Sequence, residues 1–97
     1  MNPCPARNPK LAWREIDGEA VIISPDDSHV HELNETASLI WKRADGKHNV
    51  EEIAAAVSEE YEVPVIEAEA DVRELISMLE QKGLLSIREP GEVVAGA

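Results

Sequence analysis

The dipeptide Asp17-Gly18 lies between two short runs, residues 11–16 and 19–24, and restricts this chain more than any other feature. Both residue types accept positive φ, so the pair forms a two-residue turn whose twist matches that of two antiparallel strands. Such a turn also sets the register, and Trp13 must then face Ile22. The β-branched run Val21, Ile22 and Ile23 suits the second strand. Ser24-Pro25-Asp26-Asp27-Ser28 reads as the next turn, and residues 29–33 as a short third strand. The first third of the chain is thus expected to be a three-stranded antiparallel sheet.

After it the hydrophobic period changes from two to about 3.6. Asn34 is placed to cap a helix that runs to about residue 44, with Ala37, Ile40 and Trp41 on one face. Asp45-Gly46-Lys47-His48 ends that helix. Asn49, with Glu52 three positions on, has the pattern of a capping box. Behind it Val50, Ile53, Ala54, Val57 and Tyr61 form one apolar stripe. Val63-Pro64 breaks the pattern, and a third helix spans about 66–82 with Ala68, Val72, Leu75 and Leu79 along one face. Gly83 stops it, and Leu84, Leu85 and Ile87 suit a last short strand. Residues 1–10, broken by Pro3, Pro5 and Pro9, are expected to be a disordered leader, and 89–97 a flexible tail. The ordered domain is then 11–88. Strands followed by helices make it an α+β fold, of winged helix-turn-helix type.

Charge excludes several roles. Twenty acidic residues against nine basic ones give a net charge of -11 over 97 residues, with no run of Lys or Arg. Nucleic acids and anionic membranes draw their partners by cationic side chains, so neither is an expected ligand. Cys4 is the only cysteine, which removes intrachain disulfides and cysteine-based zinc sites. Neither a signal peptide nor a membrane-spanning run is visible. A cytoplasmic protein, monomeric or weakly dimeric, is expected. With no Phe and only Trp13, Trp41 and Tyr61 as aromatics, the core must be aliphatic.

The segment His31-Glu-Leu-Asn-Glu-Thr-Ala-Ser-Leu-Ile-Trp41, followed by Asp45-Gly46, Val50-Glu-Glu-Ile53, Asp71-Val72 and Gly83-Leu84-Leu85, resembles the PqqD-like family. These small proteins of pyrroloquinoline quinone biosynthesis, with their relatives, are recognition elements for ribosomally made, post-translationally modified peptides. The resemblance covers about residues 11–88. It implies three strands packed on three helices, and a non-catalytic peptide chaperone that needs no cofactor. Such a protein binds the leader of a precursor peptide and presents it to a modifying enzyme, often a radical S-adenosylmethionine enzyme. It further implies that the leader adds to the third strand, in a groove closed by the third helix. On this chain those elements supply His29, Val30, His31, Glu32 and Leu33, and Asp71, Val72, Arg73, Leu75, Ile76 and Leu79. The stretch before Asn34 departs from the founding members, where a Gly-containing hairpin is expected, which makes the chain a relative of them.

An exposed strand edge offers unpaired N–H and C=O groups to an extended peptide. Pockets between strand and helix must then give specificity. Val30 is the expected pocket floor, because it points opposite to His29 and His31. On the third helix, Val72, Leu75 and Leu79 serve the core, which leaves Ile76 and Arg73 on one flank and Asp71 and Met78 on the other. His29, His31 and His48 are too few and too scattered for a metal site. Neither a nucleophile elbow nor a Gly-rich phosphate loop is present. Trp41 shares its face with Ala37 and Ile40 and reads as a core anchor, with Met78 at the core or its edge. A DNA-binding regulator is the alternative that the architecture permits, and a protein-only adaptor subunit is another. The exposed side of the third helix argues against DNA, since Glu67, Glu69, Asp71, Glu74 and Glu80 would repel phosphates.

Overall fold

The computed structural model describes residues 3–24 and 30–88. In chain order the elements are β1 (Cys4–Arg7), β2 (Ala12–Ile16), β3 (Glu19–Ile23), β4 (Val30–Glu32), α1 (Glu35–Arg43), α2 (Val50–Tyr61), α3 (Val65–Gln81) and β5 (Leu85–Arg88). They form an antiparallel sheet ordered β2-β3-β4, a second ribbon of β1 with β5, and three helices. The α+β reading holds, and β4 is the strand counted third in the sequence. The turn at 25–28, His29 and the tail at 89–97 lie outside the described residues.

Asp17 and Gly18 take φ of 52° and 83°, as the two-residue turn requires, and Trp13 pairs with Ile22. The Asn34 side chain accepts from the Ala37 amide at 2.8 Å. Asn49 and Glu52 form the full capping box, with bonds of 2.8 and 2.9 Å. Glu62 in the left-handed region and then Pro64 separate α2 from α3. The core gathers Ala20, Ile22 and Leu33 from the sheet with Ile40, Trp41, Ile53, Val57, Val72 and Leu79 from the helices. Trp41 is fully buried and meets Trp13 edge to face, with centroids 6.0 Å apart. Its Nε1 has no hydrogen-bond partner among the described residues.

One expectation needs correction. Residues 4–7, assigned to a disordered leader, form β1 and pair antiparallel with β5 from Cys4↔Arg88 to Arg7↔Leu85. Three prolines argued for disorder, but Pro5 sits where the ladder needs no donor. The bond from Asn8 N to Leu84 O places residues 4, 6 and 8 toward β5 and residues 5 and 7 away from it. The outward groups are used on the other side. Pro5 O accepts from Gly46 N and Arg7 N donates to Ala44 O, both at 2.9 Å. Arg7 Nη1 also donates to Trp41 O and Lys42 O, each at 2.8 Å, and so closes the C-terminus of α1. β1 therefore ties the α1–α2 corner to β5.

Candidate functional site

In β4 the pairs Val21↔Glu32, Ile22↔His31 and Ile23↔Val30 set the register, and Leu33 N donates to Ala20 O at 2.9 Å. Hydrogen-bonded and non-bonded pairs alternate along an antiparallel ladder. His31 and Leu33 therefore bond inward to β3. The N–H and C=O of Val30 and Glu32 point outward, along an edge that no described strand covers. At the end of this ladder the buried Ser38 hydroxyl replaces a rung. It accepts from Ala20 N at 2.6 Å and donates to Leu33 O at 3.2 Å. α1 thereby holds the point where β4 turns into the helix, a role that the sequence pattern alone left unread.

The same register assigns the faces. Trp13, Ile22 and His31 lie on the side of the helices, as do Ala20 and Leu33, whereas Ile23 and Val30 lie on the outer side. Val30 is 56% exposed, against 7% for Leu33. The expected pocket floor is thus corrected: Val30 forms an outer shelf with Ile23, and His31 and Leu33 face the helices. The physical reason is the fixed alternation, which puts Val30 with exposed Ile23 and not with buried Ile22.

On α3 the buried positions are Ala68, Val72, Ile76 and Leu79. Ile76, expected on an accessible flank, is buried in the core, while Leu75 is only partly buried. Both match a helical stripe beginning at Ala68, and packing chose Ile76. Arg73 is paired with Glu69, its Nη2 standing 2.9 Å from Oε1. It also lines a cavity with Pro3, Val50 and Glu51, so its flank turns toward the first turn of α2. Asp71 is exposed and Met78 is 42% exposed, and both lie on the opposite flank beside Leu75. Glu67, Asp71, Glu74 and Glu80 are all exposed, which makes the outer surface of α3 acidic.

Among the described residues no group of His, Cys, Asp and Glu converges on a metal position. No helix among them is long and apolar enough to cross a membrane. Among the described residues Asp45 stands in a distinctly perturbing electrostatic environment. Burial is the largest single influence and raises its pKa, but the Lys47 N–H, the His48 ring and charge on that ring together outweigh it and hold the carboxyl below its ordinary 3.8. This carboxylate shapes the α1–α2 loop, far from β4 in sequence.

Comparison with known proteins gives this geometry a context. Residues 19–85 match the model of the family described as coenzyme PQQ synthesis protein D (PqqD). The PqqA binding protein of Xanthomonas oryzae pv. oryzae (strain PXO99A) is 36% identical over 78 residues, spanning 80% of this chain and 83% of that protein. Among solved structures, TbiB1 in complex with the TbiA(beta) leader peptide superposes with a TM-score of 0.75 at 26% identity, over 92% of this chain and 99% of that one. The PqqD truncation of Methylobacterium extorquens PqqCD, a RiPP recognition element, has the same fold with a TM-score of 0.70 at 24% identity, over 84% and 87% of the two chains. The match to the family model and the extended similarity to its relatives agree with the fold seen here: the chain belongs to the PqqD family.

Proposed function

We propose that this protein binds the leader of a ribosomally made precursor peptide as an added strand on β4 and presents it to a modifying enzyme. One observation carries the reading: Val30 and Glu32 hold outward main-chain donors and acceptors on an edge that no described strand covers. Relatives named as PqqA binding proteins, and a similar chain solved with a leader peptide, support the ligand class. The groove lies between β4 and the α3 flank of Asp71, Leu75 and Met78, because the Arg73 flank turns toward α2. Alternate leader side chains then meet His31 and Leu75 on the inside and Val30 with Ile23 on the outside. Val72, Ile76 and Leu79 support the groove from within the core. Asp71 and Glu32 at its rim favour a leader that mixes basic with apolar residues.

Nothing in this role needs a cofactor or a catalytic group. The protein acts in the cytoplasm as a monomer or weak dimer, and its enzyme partner is a radical S-adenosylmethionine enzyme. Calorimetric titration with leaders of precursor genes adjacent to this one tests the reading. The expected result is 1:1 binding at about micromolar Kd, weakened by N-methylation at alternate leader residues only. Absence of binding to every neighbouring leader, or equal tolerance of N-methylation at all positions, would remove it.

A further inference from the structure

A cavity of about 330 Å³ lies at the other edge of the sheet, lined by Arg7, Asn8, Trp13, Asp45 and Arg88 among others. β2, which carries Trp13, and β4 are opposite edges of the three strands, so this cavity is separate from the leader edge. In a chain of net charge -11, two arginines lining one cavity are conspicuous. Arg7 is fixed. Nη1 spends its two hydrogens on Trp41 O and Lys42 O, and the guanidinium carbon stands 5.4 Å from the centre of the Trp13 ring. Its Nε–H and Nη2–H groups, the edge that pairs with a carboxylate in two parallel bonds, have no partner among the described residues. The guanidinium of Arg88, a half-buried residue at the end of β5, likewise has no hydrogen-bond or ion-pair partner among them.

We propose that this cavity is a second recognition site, which takes a carboxylate of a partner polypeptide between Arg7 and Arg88. Closing α1 needs only Nη1 of Arg7, so the helix-capping role leaves the opposite edge available. The fork is already oriented by two main-chain bonds and an aromatic ring, which lowers the ordering cost of binding. Asp45 partly offsets the charge, while one of its carboxylate oxygens, Oδ1, is engaged by Lys47 N and His48 Nδ1. The site therefore favours one acid group over a polyanion. The inference stands apart from the leader reading, and its test uses no leader.

The full chain is titrated with N-acetyl-glutamate methylamide, N-acetyl-glutamine methylamide and N-acetyl-alanine. Tryptophan emission, to which Trp13 on the cavity wall contributes, and the Arg Nε–Hε signals in nuclear magnetic resonance are followed. The glutamate probe is expected to saturate at about millimolar concentration and the glutamine probe to bind at least about fivefold more weakly. Arg88→Gln, which leaves the α1 closure intact, should weaken the glutamate probe by about fivefold with an unchanged melting temperature. Arg7→Lys should weaken it further, because an ammonium cannot make the paired contact. If N-acetyl-alanine binds more tightly than the glutamate probe, the site reads a chain terminus. If the glutamate probe is the tighter, it reads an acidic side chain. Equal responses to the glutamate and glutamine probes, or a response untouched by Arg88→Gln, would overturn the proposal.

Discussion

Replacing Glu32 with proline tests the added-strand geometry at a single atom. In β4 the Glu32 N–H points away from β3, since Val21↔Glu32 is a non-bonded pair next to the bonded Ala20 and Leu33. Proline removes that donor and places its ring on the open edge, the position where sheets tolerate it. The β3–β4 ladder loses nothing. A leader on this edge loses one main-chain bond and is left with an unpaired carbonyl. That costs about 1–3 kcal/mol, or about 5- to 150-fold in Kd.

Two controls isolate the effect. Glu32→Ala removes the carboxylate alone and should change the affinity by less than about threefold, as an exposed charge does. His31→Pro removes a donor that β3 uses, so it should lower the melting temperature and weaken binding only through loss of fold. Calorimetry gives the affinities, and thermal melts followed by circular dichroism give the stabilities. If Glu32→Pro folds and binds as wild type does, the leader does not pair with this edge, whatever else it touches.

Three further outcomes follow from the packing. Ser38→Ala strands the Ala20 amide and the Leu33 carbonyl in the core, and should cost about 1–3 kcal/mol, seen as a lower urea midpoint with unchanged slope. Ile76→Ala should cost about 2–5 kcal/mol as a cavity in the core, whereas Leu75→Ala should cost less stability and weaken leader binding more. If Leu75→Ala leaves the affinity intact, that flank does not line the groove. Asp45→Asn keeps an acceptor for the Lys47 amide but loses the charge. Because the folded pKa is below 3.8, the Asp45 contribution is present above that pH and is lost as pH falls through the folded value. The melting-temperature gap between wild type and Asp45→Asn should therefore narrow as the pH falls below 3.8. A gap that persists at low pH would contradict the assigned shift.

The elements that sequence reveals are those whose cause is local. Asp17-Gly18 supplies both positive φ angles itself, and so sets the pairing of Trp13 with Ile22. Asn34 and Asn49 cap helices with their own side chains, and Glu52 answers Asn49 from three residues away. The β1 strand has no local cause. Cys4, Pro5, Ala6 and Arg7 show no alternation, because β5 covers one edge while the α1–α2 loop takes the other. Proline at position 5 is evidence against a strand only if its N–H is needed. Whether it is needed depends on Leu84, Ala44 and Gly46, which lie far along the chain.

The site divides in the same way. Alternation along β4 follows from the period of any strand, so the opposition of Val30 to His31 can be read directly. Which of the two faces the helices depends on whether Val30 pairs with Ile23 or with Ile22, and the sequence alone does not set that register. On α3, Leu75 and Ile76 are adjacent, equally apolar and equally compatible with a stripe through Ala68, Val72 and Leu79. Only the position of α2 separates them, and Val50 beside Arg73 marks the side it occupies. On the proposed reading, a peptide in this groove is selected by the face that α2 leaves uncovered. Substitutions that shift α2 across α3 should change leader preference without touching a groove residue.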